Sequence, residues 1–542
     1  MNPLLSRRRL LGAAALSGAA AVVLSACGNG GGGSGGDGSP VTAFSVEPEN
    51  PLIPTATSEQ GGGRIVSLVF MGLISYDDNS EPVNELAESI ESDDNKTWTI
   101  KIKEGKKFTN GEDITAQSFV DAWNYGAAAK NAHTGSYFFE PVLGYDAVSA
   151  EGSEEDQMEG LTVVDDTTFT VELADGDVTF PIRLGYAAYS PLPASAFDDM
   201  EAFGENPVGW GPFKMDGEGA WSHNEEIRLV KNEDYDGSQP AQVDALTFKL
   251  YQSAEGAYSD LISDNLDILD QIPPSSMDVR EDDLSGRTEQ QDYAGNYSFA
   301  IPYYLDGWSG EAGKLRRQAI SMSINRQELI DQVIKQGVPA KDLTSPAVEG
   351  FPDSFTNEEF VQYDPEKAKE LWQQAEDMEA YPGGPFELAY NADGGHQEWV
   401  DAVCNMIKNT LDIEAQGKSY ATFKELRTEA NAGDLTSAIR SGWMADYPSM
   451  SNFLGSNFAS NGSSNDTKFD NQEFDTLLSE GRQADDIDAA NEKFIEADEI
   501  LLEELPSIPL YYPARTWGWS SNVTDVGIMW NGEINYAQVT SA

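Results

Sequence analysis

Hydrophobic and polar residues alternate along several short stretches of the chain, and other stretches repeat their apolar residues at three- and four-residue intervals. Alternation predicts strands with one buried face, whereas the longer spacing predicts amphipathic helices. Both patterns recur from about Val41 onward without an internal repeat, so the sequence predicts a mixed α/β protein. The alternating positions are Trp98, Ile100 and Ile102; Phe169, Val171 and Leu173; Leu246, Phe248 and Leu250; and Phe386, Leu388 and Tyr390. The helical stripes are Ala116, Phe119, Val120 and Trp123, and Trp399, Val400, Val403, Met406 and Ile407.

Capping residues mark three of the predicted helix starts. An Asp followed by Pro is typical of an N-cap with a first-turn proline, and an Asn or Asp three residues before a Glu has the spacing of a capping box. We therefore expect helices to begin at these places. The pairs are Asp364 with Pro365, Asn325 with Glu328, and Asp470 with Glu473.

Charge narrows the range of partners. The 542 residues include 34 Lys and Arg against 92 Asp and Glu, a formal net charge of −58. Such an excess of negative charge repels phosphate backbones and anionic lipid headgroups. It argues against a nucleic-acid-binding role and against electrostatic attachment to membranes.

The N-terminus has the order of an export signal. Ser6-Arg7-Arg8-Arg9 precedes a small, apolar stretch that ends at Leu24-Ser25-Ala26-Cys27. A charged start followed by a short apolar run predicts a cleaved secretory leader. The first segment resembles a twin-arginine signal and the second resembles a lipobox, which implies a signal peptide over 1–26 and lipidation at Cys27. The Gly- and Ser-rich residues 27–40 predict a flexible tether.

Recognisable catalytic motifs are scarce. The chain has three histidines, none in a zinc-protease pattern, and Gly417-Lys418-Ser419 lacks the upstream glycine of a phosphate-binding loop. We therefore expect no metal, no cofactor and no enzymatic activity. A carboxylate pair of the kind that hydrolases use stays open among so many acidic residues.

One segment stands out, from Arg440 to Pro448. It brings an indole, a carboxylate and a phenol close to Gly442, where a ligand could approach the backbone. Two interpretations are open: a packed Trp beside a surface Asp, or part of a binding site.

Several segments together resemble the family 5 extracellular solute-binding proteins, the oligopeptide- and dipeptide-binding lipoproteins of ABC importers. The matches follow one another in order over nearly the whole mature chain. They are LAESI (86–90), TWTIKIKEGKKFTNG (97–111), ITAQSFV (114–120), PVGWGPF (207–213), LVKNEDY (229–235), LRRQAISMSINR (315–326), YDPEKA (363–368) and IPLYY (508–512).

The resemblance implies a two-lobed periplasmic-binding-protein-like clamshell (type II, cluster C) with an extra third domain, in which the lobes close on a ligand by a hinge motion. The expected ranges are 41–75, 191–295 and 510–542 for lobe I, 76–190 for the extra domain, and 296–509 for lobe II.

The resemblance also suggests site residues. Asp446 matches the aspartate that meets a peptide's α-amino group, and Trp443 would form a wall of the pocket. Ligand backbone is expected beside the main chain of the first loop and of this segment, and cationic groups are expected to meet the ligand's carboxylate. The first-loop and segment positions are Ser58, Glu59, Gln60, Gly442 and Met444; Arg440 and His396 are the carboxylate candidates, and Tyr137 is a contact from the extra domain.

These features predict a monomeric substrate-binding lipoprotein on the extracytoplasmic face of the bacterial membrane. It would capture oligopeptides and deliver them to permease subunits driven by separate ATPases, without catalysis. The alternatives are an oligosaccharide- or other small-solute-binding member of the same fold, and a secreted hydrolase.

Overall fold

Two large β-sheets and a smaller one form the framework of the protein. The computed structural model describes residues 40–57, 59–77, 80–382 and 384–542. The predicted leader, the tether and Cys27 lie outside these ranges. None of the helices within them is long and apolar enough to span a bilayer.

The largest sheet has a parallel centre and antiparallel flanks. Strand Val41–Ser45 pairs in parallel with Ala245–Leu250, where the predicted alternation places Leu246 and Phe248 in the core. The strands in spatial order are Thr288–Asp292, Ala514–Trp519, Ile268–Leu269, Val41–Ser45, Ala245–Leu250, Glu226–Lys231 and Phe213–Met215, with Trp221–Ser222 beside Glu226–Lys231.

The second sheet has six strands around its own apolar core. In spatial order these are Val338–Pro339, Ser507–Tyr512, Gly295–Ala300, Ala438–Met444, Phe386–Asn391 and Ala415–Tyr420. Strand Ala438–Met444 pairs with Gly295–Ala300 from Ile439 to Met444. On its other side it pairs with Phe386–Asn391 only at Ala438 and Ile439. Residues 440–444 therefore leave this second edge without a strand partner among the described residues.

A four-stranded antiparallel sheet packs against helix Ala116–Ala127. Phe119 and Trp123 from the helix contact Phe169 from the sheet, and all three are fully buried. The same apolar cluster continues into the core of the eight-stranded sheet. The strands in spatial order are Ala87–Glu91, Thr97–Ile102, Thr168–Glu172 and Leu161–Asp165; the short pairs Ile74–Tyr76 with Pro82–Asn84, and Val523–Thr524 with Thr540–Ser541, lie outside the larger sheets.

Helices cover these sheets, and their starts test the predicted caps. Asp364 accepts a hydrogen bond from the Lys367 N–H at 2.9 Å. Asn325 caps helix Arg326–Leu329 in the same way, by accepting from the Glu328 N–H at 3.2 Å. The third cap was wrong by one residue: the side chain of Asn471, not Asp470, accepts from the first-turn N–H groups. The α-helices are Gln60–Val69, Ala116–Ala127, Tyr145–Ser149, Phe180–Arg183, Met200–Glu205, Ala254–Leu261, Arg280–Asp283, Gly310–Met322, Arg326–Leu329, Pro365–Met378, Gln397–Leu411, Phe423–Ala432, Met450–Phe458, Gln472–Arg482 and Ile487–Glu504.

A buried pair of carboxyl groups joins strand Ser507–Tyr512 to helix Ile487–Glu504. The Thr344 hydroxyl lies 2.9 Å from Asp342 Oδ2 and 3.2 Å from Asp498 Oδ2, and Tyr512 donates to Asp342 at 2.7 Å. Because a hydroxyl carries one proton, it cannot donate to both carboxyl groups, so a protonated Asp498 completes the network. Burial, reinforced by the charge of Asp342, raises the pKa of Asp498 well above its usual value.

We expect Asp498→Asn to remove a pH dependence of stability. Because the folded-state pKa of Asp498 is raised, its contribution is fully present below the unfolded-state pKa of about 4 and is lost as the pH rises through the folded-state value, by at most ~1.4 kcal/mol per pH unit. Urea unfolding at a series of pH values should show this decline in the wild type and a flatter profile in the variant. Glu492→Gln, at an exposed position of the same helix, is the control. Parallel profiles for all three proteins would contradict the shared proton.

Candidate ligand-binding site

Two neighbouring cavities follow the segment from Arg440 to Asp446. One, of about 310 Å³, is lined by Arg440 through Met444; the other, of about 290 Å³, is lined by Met444 through Asp446. Gln60 and Met444 line both cavities. The predicted residues of this segment are therefore brought together along one continuous space.

Asp446 lies in this space without a cationic partner. Its carboxylate accepts one hydrogen bond, from Asn452 Nδ2 at 3.1 Å, and no Lys, Arg or His of the described residues pairs with it. Burial raises the pKa of the Asp446 carboxyl to about 6, and the hydrogen bond from Asn452 opposes this shift. A half-buried carboxylate left in this state is an acceptor for a cationic group supplied from outside.

Aromatic side chains surround Asp446. Burial chiefly, with a contribution from the negative charge of Asp446, raises the pKa of Tyr76, Tyr137 and Tyr186 above the usual range of a phenol. These phenols stay protonated at neutral pH. Trp530 meets Tyr76 edge-to-face at 5.3 Å between ring centroids. The carboxylate therefore lies near neutral rings, which do not neutralise its charge.

Asn452 fixes both Asp446 and Trp443. Its Oδ1 accepts from the Trp443 indole at 2.7 Å and from the Asp446 N–H at 3.0 Å. Asn452 is 2% exposed and lies in the first turn of helix Met450–Phe458. Three hydrogen bonds of Asn452 therefore orient these two residues.

Arg440 is free of ion pairs among the residues described. Its Nε donates to Asn391 Oδ1 at 2.8 Å, and its guanidinium lies over the Phe423 ring at 4.5 Å from the centroid. The two contacts orient the group and leave its terminal nitrogens available toward the 310 Å³ cavity.

His396 is half-buried beside Arg440 and lines neither cavity. Its Nδ1 accepts from the Trp399 indole at 3.1 Å. Burial, assisted by the positive charge of Arg440, lowers the pKa of His396 to about 4. The imidazole is therefore neutral at neutral pH.

The first-loop residues lie on the opposite wall. Glu59 caps helix Gln60–Val69 by accepting from the Gly62 N–H at 2.8 Å and lines the 290 Å³ cavity. Gln60 donates to Glu533 Oε1 at 3.1 Å. Ser58 lies outside the described residues. The charge of Asp446 contributes to the raised pKa of Tyr137, but Tyr137 does not line the cavity. Its ring stacks on Phe138 at 4.4 Å between centroids.

Sequence reasoning missed Asn452 and the loop that carries Met529, Trp530 and Glu533. The sequence did offer an indication for Asn452, because it is a polar residue among the apolar residues Met450, Phe453 and Leu454. A polar side chain buried at such a position has to be hydrogen-bonded. Met529 and Trp530 stand between two glycines and follow no periodic pattern. Their contribution depends on tertiary packing alone.

The sequence is similar to those of known peptide-binding proteins. A family model for bacterial extracellular solute-binding proteins, family 5 Middle, matches residues 81–465. OppA, an oligopeptide-binding protein of Bacillus subtilis, is 28% identical over 90% of this chain and 89% of its own. MppA, a periplasmic murein peptide-binding protein of Escherichia coli, is 25% identical over 83% of both chains.

Solved structures share the fold. The Escherichia coli murein tripeptide-binding protein MppA superposes with a TM-score of 0.77 over 93% of this chain and 98% of that one, at 22% identity. Haemophilus influenzae OppA in complex with the peptide RPPGFSPFR gives a TM-score of 0.75 over 92% and 98%, also at 22% identity.

Fold and site together define a binding protein: an α/β periplasmic-binding-protein fold of the three-domain cluster C type. The chain belongs to the bacterial extracellular solute-binding proteins of family 5, as its motifs predicted. It is a solute-binding protein and not an enzyme.

We expect Asn452→Leu to disturb Asp446 and Trp443 together. Loss of the Nδ2 donor should raise the pKa of Asp446 further, and the unpaired Trp443 and Asp446 N–H groups should each cost about 1–3 kcal/mol of stability. Carboxyl-carbon NMR titration and urea unfolding measure the two effects. Asn457→Ala, in the same helix, removes a comparable side-chain hydrogen bond to Phe453 and should leave the Asp446 titration unchanged. An unaltered titration in Asn452→Leu would contradict the positioning role.

Proposed function

We propose that this protein binds oligopeptides in the space between Asp446 and Arg440 and delivers them to the permease of an ABC importer. The observation that carries the proposal is the half-buried Asp446 carboxylate, which lines a cavity without a cationic partner in the described residues. A peptide's α-ammonium group supplies the missing charge. Its burial is favourable only where a positioned carboxylate pairs with it.

The backbone of the segment supports an extended ligand. Residues 440–444 keep one strand edge without a partner, so alternate N–H and C=O groups along it can bond to an added strand. Gly442 is exposed on this stretch and has no side chain to obstruct the approach. Such backbone pairing does not depend on the ligand's side chains.

Arg440 supplies the opposite charge. It stands six residues before Asp446, about 20 Å along an extended chain, and its guanidinium has no carboxylate partner among the residues described. We assign to it the ligand's C-terminal carboxylate. His396, neutral beside it, would contribute a hydrogen bond rather than a charge.

The names of related proteins agree with this proposal. OppA of Bacillus subtilis is an oligopeptide-binding protein, and DppE of the same organism, 26% identical over 82% of this chain, is a dipeptide-binding protein. Because these names give different peptide ligands, they support the ligand class and not one peptide.

The cellular setting remains part of the proposal. Export, cleavage before Cys27 and lipidation of its thiol would hold a monomer at the extracytoplasmic face, next to a permease with separate ATPases. The ranges 41–75, 191–295 and 510–542 would form one lobe, 296–509 the other, and 76–190 the extra domain. All strands of the eight-stranded sheet fall within the first set of ranges, and those of the six-stranded sheet fall within 296–509 apart from Gly295 and residues 510–512, which supports this division.

We expect Asp446→Asn to weaken binding of a tetrapeptide by about 100- to 1,000-fold or more, because an ammonium loses its buried counter-charge, a change of about 3–5 kcal/mol. Calorimetry with the tetrapeptide and its N-acetylated twin tests this. Acetylation should weaken binding to the wild type by a similar factor and add little in the variant.

Asp434→Asn, at an exposed position away from Asp446, is the matched control and should bind both peptides like the wild type. Equal affinity of the wild type for the free and acetylated peptides would remove the proposed role of Asp446.

Peptide affinity should also rise with pH between about 5 and 7. Asp446 must be ionised to pair with an ammonium, and its pKa in the unliganded protein is raised to about 6. Below that pH, binding must displace a proton from the carboxyl, so the affinity should fall toward tenfold per pH unit. Calorimetry in buffers of different ionisation enthalpy would detect this proton release. In Asp446→Asn the slope should vanish; an unchanged slope would assign the titration to another group.

A further inference from the structure

In the 290 Å³ cavity, the ligand contacts proposed so far use Asp446 and leave most of the lining free. A peptide whose ammonium meets Asp446 and whose carboxylate meets Arg440 runs from this cavity into the 310 Å³ cavity, which Arg440 lines. The 290 Å³ cavity shares only Gln60 and Met444 with the 310 Å³ cavity. The side chain of the ligand's first residue is the part of the peptide nearest to it.

The walls of this cavity beside Asp446 are aromatic rings and thioethers. They come from three separate parts of the chain, and each residue is half-buried, with part of its surface exposed. Such a lining favours apolar groups. The residues are Met71, Tyr76, Tyr186, Met529 and Trp530.

The rings are held in place before any ligand arrives. Tyr76 donates its hydroxyl proton to the Ile182 carbonyl, and Tyr186 stacks on Phe138 at 4.0 Å between centroids. A pre-organised pocket costs less entropy on binding than one that must form.

The loop that carries Met529 and Trp530 is equally fixed. Ile528 and Ile534 form an antiparallel bridge at its base, and the Trp530 carbonyl accepts from the Ala294 N–H at 2.8 Å. Gly532, at φ +82°, makes the turn, and its carbonyl accepts from Arg515 Nε at 3.2 Å.

Charge in this cavity opposes an acidic ligand side chain. Glu59 and Glu533 line it together with Asp446. The one cation among the described lining residues, Arg64, is already committed: its guanidinium bonds to Asp270 and to the Phe44 carbonyl, and faces Glu533 at 3.6 Å. Glu59 already caps helix Gln60–Val69, and Glu533 already accepts from Gln60 and faces Arg64.

We infer that this cavity selects peptides whose first residue has a large apolar side chain, with Met529 and Trp530 as specificity-determining residues. The inference rests on the proposed peptide-binding function and goes beyond it by naming a preference at one ligand position.

The test is calorimetry with tetrapeptides that differ only in the first residue: Phe, Leu, Met, Ala, Lys or Asp, followed by three alanines. We expect the Phe, Leu and Met peptides to bind about ten- to a hundredfold tighter than the Ala peptide, and the Asp peptide to bind more weakly than Ala. The Lys peptide should bind no tighter than Ala. Equal affinities across the series, or tightest binding of Lys, would overturn the inference.

Variants of Met529 and Trp530 test whether their loop determines the preference for an apolar first residue. Trp530→Ala and Met529→Ala should each reduce the Phe-to-Ala affinity ratio, the first to below about threefold, whereas Trp530→Phe should retain most of it. Met378→Ala, at an exposed methionine of helix Pro365–Met378, is the control for Met529→Ala and should leave the ratio unchanged. Thermal unfolding of each unliganded variant checks the fold. A wild-type ratio in both Trp530→Ala and Met529→Ala would remove these residues from the pocket.

An N-acetylated Phe peptide separates the two proposals. If acetylation weakens binding but the first side chain makes no difference, only the present inference fails. If acetylation has no effect while Phe still binds tighter than Ala, the apolar pocket stands and the role of Asp446 fails.

Discussion

One charge without an ionic partner determines the character of this protein: the carboxylate of Asp446, half-buried near aromatic rings with a single hydrogen bond from Asn452. Removing a carboxylate from water without a partner is costly, and the chain accepts that cost at this position. The surrounding structure is arranged to keep the charge in place and available. Asn452 sets its direction, the nearby phenols are neutral, and Arg64 and Arg183 are already paired with Asp270 and Asp177.

The sheets give this charge its setting. Strand Ala438–Met444 is paired with Gly295–Ala300 from Ile439 onward on one side and only at its first two residues on the other. It is therefore held along one edge and open along the other, and it leads directly to Asp446. The walls opposite come from helix Gln60–Val69 and from the loop around Trp530, so distant parts of the chain meet at one space.

Local patterns in the sequence were sufficient for the elements and for the family. The alternation at Leu246 and Phe248 and the cap at Asp364 are confirmed because they depend on neighbours a few residues away. The cap predicted at Asp470 belongs to Asn471, since two adjacent residues of similar capping ability can be told apart only by backbone geometry. Asp446 was named through the family motif. Trp530 could not be, because nothing in its local sequence specifies that it packs against Tyr76.

The free carboxylate has a consequence for work at the bench. If Asp446 pairs with ammonium groups, it should also pair with protonated primary amines other than peptides. Common buffers such as Tris are primary amines and are present at millimolar concentrations. Such a buffer would act as a competitor, and the apparent dissociation constant of a weak ligand would then depend on the medium in which the protein was purified.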